Sequence, residues 1–107
     1  MGGSINTVAK GNRRQNSCRK ILEKQGWLVY VAPRMKYGPV DIWNLWDVIA
    51  YRDGYILLIQ VKSNYCPREV KTRLRAFTTD GLFVRRQLWI FKDYARSPCI
   101  EEMIGGE

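Results

Sequence analysis

Residues 46–63 consist of two largely apolar runs on either side of a turn, and three polar side chains stand near the outer ends of those runs. Asp47 stands near the start of the first run, and Gln60 and Lys62 stand near the end of the second. A carboxylate, an amide and an ammonium group are costly to bury unless they are hydrogen-bonded or paired. Together they could hold a divalent cation against a phosphate group. Alternatively, Asp47 and Lys62 could form a salt bridge at a strand end, with Gln60 as a capping amide. The relative positions of the three side chains decide between a chemical and a structural role.

The turn inside this stretch determines whether the three side chains meet. Asp53 and Gly54 favour a two-residue hairpin turn, because such turns need residues that tolerate a positive φ. With this turn Asp47 lies opposite Gln60, their Cβ atoms roughly 5 Å apart, and Lys62 points to the same face. A three-residue loop would shift the register by one and separate them. Both faces of the hairpin are apolar, which indicates central strands covered on both sides.

The rest of the sequence predicts one small α/β domain, residues 1–107, with residues 1–10 as a flexible N-terminal segment. The predicted elements are a helix from Asn6 or Thr7 to Gln25, a strand at 27–31, the two hairpin strands, a helix from Pro67 to about Phe77 and a strand at 87–91. Residues 34–46 are expected to form a loop and residues 78–81 a turn. The tail from Asp93 is either a last strand or a helical turn. The order α-β-β-β-α-β predicts a small mixed sheet flanked by helices.

The charge of the chain favours a polyanionic partner. Its 18 Lys and Arg residues exceed its 10 Asp and Glu residues, giving a formal net charge of +8. We therefore expect a nucleic acid partner, with an anionic membrane surface or a purely structural role as the alternatives. The basic residues crowd the two predicted helices and the start of the last predicted strand: Arg13, Arg14, Arg19, Lys20, Lys24, Arg68, Lys71, Arg73, Arg75, Arg85 and Arg86.

Several classes of chemistry are excluded or disfavoured by the composition. The chain has no His, which excludes Ser-His and Cys-His nucleophilic catalysis. Cys18, Cys66 and Cys99 include no close pair, so neither a disulfide framework nor a zinc site is predicted. No apolar run suits a signal peptide or a membrane span, and we expect a cytoplasmic protein with no membrane partner.

Asp47 followed by Gln60-Val61-Lys62 on a hairpin resembles the signature of the PD-(D/E)XK nuclease superfamily. The segment GNRRQNSCRKILEKQG is similar to the first helix of the archaeal Holliday-junction resolvases in that superfamily. In those proteins one Gly begins the helix and another closes it fifteen residues later, the spacing of Gly11 and Gly26. The resemblance covers about residues 11–77 and extends to the virus-type replication-repair nucleases. It implies a restriction-endonuclease-like core, whose order of elements is the one predicted above.

Some positions depart from the family pattern. Gln60 stands where the family usually has Glu or Asp, and Gln15 stands where resolvases carry a helix Glu. The Pro-Asp pair of the family name is absent, because Trp46 precedes Asp47; Asp41 is an alternative or auxiliary ligand. Loss of two carboxylates weakens a site for a divalent cation. A catalytically weak or inactive DNA-binding module of the same fold is therefore the alternative function.

The resemblance implies a metal-dependent endodeoxyribonuclease that hydrolyses phosphodiester bonds in branched or structured DNA, such as Holliday junctions. Asp47, Gln60 and the Val61 carbonyl would bind Mg²⁺, or Mn²⁺ as a substitute. Lys62 would orient the attacking water or stabilise the charge that builds on the phosphate. Gln15 would occupy the site position that resolvases fill with a Glu on the first helix. A homodimer would present one site to each of two opposed strands, and a virus- or mobile-element-encoded origin fits the family. Predicted DNA contacts are Arg13, Arg14, Lys36, Ser63 (equally a strand-end cap), Arg68 and Lys71.

Overall fold

The computed structural model describes the backbone of residues 3–32, 34–35, 38–39, 45–77 and 83–103, and the side chains of residues 13–32, 45–77 and 83–103. Over these residues it is a mixed α/β fold with a five-stranded mixed sheet and two helices, which confirms the predicted class. Neither described helix is both long and apolar enough to cross a membrane. The elements are α1 (Gly3–Lys24), β1 (Leu28–Val31), β2 (Arg34–Met35), β3 (Gly38–Pro39), β4 (Val48–Arg52), β5 (Tyr55–Ser63), α2 (Arg68–Ala76), β6 (Val84–Phe91) and β7 (Cys99–Glu102).

Helix α1 begins earlier than the sequence predicts. It starts at Gly3 and continues through Gly11, which therefore lies inside the helix and not at its start as the resemblance implied. The helix ends at Lys24, and Gly26 follows with a φ of 91°, a left-handed conformation that favours glycine. The predicted C-terminal stop is confirmed. The expected mobility of residues 1–10 stays a prediction.

The main sheet has the strand order β1-β4-β5-β6-β7. Strands β1, β4 and β5 pair antiparallel, β6 runs parallel to β5, and β7 runs antiparallel to β6. A parallel pair needs a crossover connection, which α2 supplies. Strand β4 therefore begins at the same end of the sheet at which β5 and β6 finish. We call this end, marked by Asp47, Ser63 and Phe91, the site edge.

The predicted two-residue turn between β4 and β5 is confirmed. Asp53 and Gly54 have φ values of 52° and 85°, and the register pairs Arg52 with Tyr55. Asn, Asp and Gly adopt this left-handed backbone most readily. The turn therefore fixes the register along both strands, back to the start of β4.

Each face of the hairpin is covered by one helix, as the two apolar faces predict. Alternate residues of β4 and β5 enter opposite cores, because strand side chains alternate between faces. The core that includes α1 contains Cys18, Leu22, Val48, Ala50, Leu57, Ile59, Val61, Trp89 and Phe91. The core that includes α2 contains Leu45, Trp46, Leu58, Leu74, Leu88 and Met103.

The strands differ from the prediction in three places. Strand β1 begins at Leu28 instead of position 27, and β6 begins at Val84, three residues before its predicted start. Residues 34–46 are not a continuous loop, since β2 and β3 pair antiparallel as a separate two-stranded sheet. The tail forms the strand β7, one of the two predicted alternatives. The predicted turn at 78–81 lies outside the described residues.

A side chain from the sheet caps the C-terminal end of α2. Nη1 of Arg86 donates to the carbonyl oxygens of Leu74 at 3.1 Å and Arg75 at 3.0 Å, and also to that of Phe77. The last carbonyls of a helix have no partner within it, and a cation is favourable near them. The guanidinium of Arg86 is thus used within the fold and is not available to bind another molecule. At the other end, Pro67 is the N-cap residue and Arg68 is the first helical residue, one position later than the predicted start at Pro67.

Replacing Arg86 with Met should lower the free energy of unfolding by about 2–3 kcal/mol, because the partly buried carbonyls at the end of α2 lose a charged donor. Arg85→Met removes the same charge one residue earlier, where the guanidinium contacts the exposed Glu102. That control should cost less than about 1 kcal/mol. Urea unfolding of both variants measures the difference. Equal losses would contradict the capping role of Arg86.

Candidate functional site

Asp47 lies immediately before β4 and is held through its backbone and its side chain. Its N–H donates to the carbonyl of Ile59 at 2.9 Å, and its own carbonyl accepts from the N–H of Ala32 at 2.8 Å. Strand β5 extends past the start of β4, and there the N–H of Val61 donates to Oδ2 of Asp47 at 2.9 Å. The carboxylate therefore caps β5 beyond the end of its neighbouring strand.

Gln60 contacts the same carboxylate oxygen. Its Nε2 donates to Oδ2 of Asp47 at 3.0 Å, and the two residues are only 6% and 4% exposed. An ionised carboxylate accepts hydrogen bonds and cannot donate them, so the nitrogen end of the amide must face Asp47. The carbonyl oxygen of Gln60 is left for another ligand. An ionised Glu at this position could not donate a hydrogen bond to Asp47, and its charge would repel the Asp47 carboxylate.

Lys62 follows on the same face of β5 as Gln60 and is half-buried. Among the described residues it makes no side-chain hydrogen bond and no ion pair. The salt bridge with Asp47, one of the two alternatives that the sequence leaves open, is therefore not formed. Burial raises the pKa of the nearby Cys66 thiol, and the charge of Lys62 opposes that rise. A partly buried ammonium group without an internal partner suits an external anion.

Helix α1 carries a further buried polar side chain, Gln15. Burial raises the pKa of the Cys18 thiol to about 12, and the charge of Asp47 contributes to the rise. The inner face of α1 therefore lies close enough for the carboxylate to act on it. Gln15 stands one turn before Cys18 on this face, is 3% exposed, and makes no hydrogen bond to any described residue. Gln15 therefore lies on the α1 side of the sheet, whereas the side chains of Gln60 and Lys62 point to the α2 side.

The site edge also contains a network that the sequence does not predict. Asn64 follows β5, and its Nδ2 donates to Oδ2 of Asp93 at 3.2 Å while its Oδ1 accepts from the N–H of Asp93 at 3.0 Å. Nη2 of Arg14 donates to Oδ1 of Asp93 at 2.9 Å, and the guanidinium lies over the ring of Phe91, 5.7 Å from its centroid. The one signal in the sequence was Asn directly after a strand, a residue that tolerates the observed φ of 70°.

The predicted DNA contacts fall into different surroundings. Arg13 on α1 and Arg68 at the start of α2 are exposed, and Ser63 is half-buried at the end of β5. Arg14 lies at the site edge, where Asp93 contacts it. Lys36 lies outside the described residues, as does Asp41, the alternative ligand.

Lys71 does not present a free charge. Its Nζ lies 3.2 Å from Oε1 of Glu101, and Nη2 of Arg75 lies 3.0 Å from the other oxygen of the same carboxylate. Burial alone would raise the pKa of Glu101, but the contacts with Lys71 and Arg75 lower it below its ordinary value. Lys71 therefore connects α2 to β7 through Glu101, and its observed contact is a structural one.

The donors at the site edge suit a hard cation. No group of three or more His, Cys, Asp or Glu side chains converges within the described part of the chain. Mg²⁺ prefers oxygen ligands and is usually bound by one or two carboxylates together with waters and substrate phosphates. One carboxylate from Asp47, the amide oxygen of Gln60 and the carbonyl of Val61 fit the lower end of that range. The predicted Mg²⁺ stays a prediction.

Comparisons with protein-family models, with curated proteins and with solved structures find no match to this chain. The resemblance to the PD-(D/E)XK nucleases therefore rests on Asp47, Gln60 and Lys62 and on the order of the elements around them. A function for this site has to follow from its own groups and their positions.

The buried Cys18 should make the stability of the protein depend on pH. Because its pKa rises from 9.0 to about 12 on folding, the folded protein keeps the thiol proton while the unfolded chain loses it. This contribution is fully present below about pH 9 and decreases by up to ~1.4 kcal/mol per pH unit above it. The difference in unfolding free energy between the wild type and Cys18→Ala should therefore fall between about pH 9 and 12.

Urea unfolding at several pH values measures this difference, with Cys99→Ala as the control at an exposed cysteine. A wild-type advantage over Cys18→Ala that stays constant to pH 11 would contradict the burial of the Cys18 thiol in the folded protein.

Proposed function

We propose that this chain is a metal-dependent endonuclease with a restriction-endonuclease-like core, which hydrolyses phosphodiester bonds in branched or structured DNA. The observation that carries the proposal is the hydrogen bond between the Gln60 amide and the Asp47 carboxylate at the site edge, with Lys62 two residues further along β5 on the same face as Gln60. The order of the surrounding elements, α1, β1, β4, β5, α2 and β6, supports it, because that core is expected to have the same order.

Hydrolysis of a phosphodiester needs a polarised phosphate and an activated water. Mg²⁺, or Mn²⁺ in its place, would neutralise charge on the phosphate when held by Asp47, Gln60 and the Val61 carbonyl. Lys62 would orient the attacking water or stabilise the negative charge that builds on the phosphate. Gln15, a buried amide with unused hydrogen-bonding capacity, would position a water on the α1 side of the site.

The distribution of unpaired charge supports DNA as the substrate. Lys71, Arg75 and Arg85 are used in ion pairs within the fold. A further set of basic side chains has no acidic partner within the described ranges, and these remain available for phosphates, whose contacts fix position and carry no sequence information. They are Arg13, Lys20, Lys24, Lys62 and Arg68.

The proposed active form is a homodimer. A chain of 107 residues reaches few phosphates by itself. Two copies related by a two-fold axis would present one site to each of two opposed strands, as cleavage of a branched duplex requires.

A DNA-binding module of the same fold that does not cleave is the second candidate. The observation that favours it is the burial of Asp47 and Gln60, since Oδ2 of Asp47 already accepts two hydrogen bonds from β5. Such a carboxylate could serve the fold alone. Salt-dependent DNA binding with no cleavage under Mg²⁺ or Mn²⁺ would favour this candidate.

Asp47→Asn and Lys62→Ala should each reduce cleavage of a labelled four-way junction in Mg²⁺ by about 100-fold or more, because each removes a charge that the transition state needs. Asp47→Asn keeps an oxygen acceptor for Gln60 and Val61. The variant therefore tests the loss of the negative charge while the hydrogen bonds that cap β5 are retained. Arg85→Ala removes one positive charge at the opposite end of β6 and should cleave as the wild type does. Wild-type cleavage by Lys62→Ala would refute its role.

Gln60→Glu should make the stability of the site depend on a cation. Two adjacent carboxylates would repel each other, so the thermal midpoint in EDTA at pH 7 should fall by roughly 5–10 °C. Millimolar Mg²⁺ should restore most of this loss. Gln87→Glu is the matched control, since Nε2 of Gln87 also bonds a carboxylate, that of Glu102, but Arg85 already pairs with it. Equal Mg²⁺ responses in both variants would show that the site edge holds no cation.

A further inference from the structure

Arg14 and Asp93 form an ion pair in which the cation lies deeper than the anion. Their side chains are 17% and 42% exposed, and the guanidinium packs over the buried ring of Phe91. The ring restricts the guanidinium to the site edge. Asp93 is fixed separately by its two hydrogen bonds with Asn64. Arg14 is thus prepositioned by groups other than its acidic partner.

The pair leaves hydrogen-bonding capacity on Arg14 unused. Only Nη2 donates to Asp93, and Nε is buried without any acceptor. An Arg fork matches a carboxylate or a phosphate best when two N–H groups bond two oxygens. This single contact at an exposed carboxylate is a weak form of the pair, and such pairs contribute little to stability.

We propose that Arg14 is a phosphate-binding residue whose site Asp93 occupies, as an internal stand-in for a nucleic acid phosphate, and that Asp93 thereby lowers the affinity for DNA. The proposal rests on the proposed function, and it adds a second phosphate position and a residue that tunes it. Asp93 acts through Arg14 and is a positioning residue; it has no part in the hydrolysis itself.

The position of the pair fits this role. Ser63 and Phe91 are paired neighbours at the ends of the parallel strands β5 and β6, and Asn64 follows Ser63 directly. Asn64 is also only two residues beyond Lys62 in the sequence. Arg14 lies over Phe91 on the α1 side of the site edge, and Lys62 points to the α2 side near Cys66. A nucleic acid strand that crosses this end of the sheet could therefore place one phosphate at each of them.

Asp93→Asn tests the proposal, because it removes the charge while an amide oxygen remains to accept from Asn64. The affinity for a labelled four-way junction, measured by fluorescence anisotropy in EDTA, should rise by about threefold to tenfold at low salt. The slope of log K against log salt should become steeper by about 0.9, as one more phosphate is neutralised. A merely structural ion pair would change thermal stability and leave this slope unchanged.

Asp53→Asn is the matched control. It makes the same change in net charge and also loosens an Arg–Asp pair, with Arg52 at 3.6 Å, but at the far tip of the hairpin. Asn tolerates the left-handed backbone of position 53, where φ is 52°. This variant should leave the salt slope at its wild-type value. Adding Arg14→Gln to Asp93→Asn should abolish the gain in affinity.

Asn64→Asp gives a second variant with the opposite expectation. It adds a negative charge beside Arg14 at a position where Asp also tolerates the backbone, so the affinity for DNA should fall. Equal salt slopes for Asp93→Asn and Asp53→Asn would overturn the proposal. If Asp93→Asn tightens binding although the wild type never cleaves DNA, the phosphate subsite stands and the nuclease proposal fails. If neither the wild type nor Asp93→Asn binds the junction at low salt, the phosphate subsite and the nuclease proposal both fail.

Discussion

The end of β5 is held by one carboxylate oxygen, and both the fold and the candidate site depend on it. Oδ2 of Asp47 accepts from the N–H of Val61 at 2.9 Å and from the amide of Gln60 at 3.0 Å, almost out of contact with solvent. A buried donor left without a partner costs about 1–3 kcal/mol, so the fold itself fixes these groups. The same arrangement brings Lys62 to the site edge, where it has no partner among the described residues.

Local turn chemistry explains why this arrangement could be predicted from the sequence. Asp53 and Gly54 tolerate the positive φ values observed at the turn, 52° and 85°. Once the turn has two residues, the alternation of side chains determines which residues share a face. The meeting of Asp47 and Gln60 follows without reference to any distant part of the chain. The mixed α/β class could be predicted for a similar reason, since each apolar run is marked off by its own turn residues.

The features that were missed depend on contacts between distant residues. The charged start of β6 lacks a strand pattern, and it is a strand because it pairs with β5 from Ile56 onward. Asn64 and Asp93 are 29 residues apart and meet only because β5 and β6 run parallel. Gly11 favours a helix end by itself, yet it lies within α1. At this position the low helix propensity of glycine does not interrupt α1.

Gln60 makes this site differ from one built on two carboxylates. Its nitrogen bonds Asp47 and its oxygen stays available, so the oxygen donors are assembled before any cation arrives. The most direct test is a crystal structure with millimolar Mn²⁺, read by anomalous scattering. The account predicts a peak in contact with the Asp47 carboxylate and the amide oxygen of Gln60, with Lys62 facing it. An empty site under these conditions, with Lys62 turned away from the edge, would contradict it.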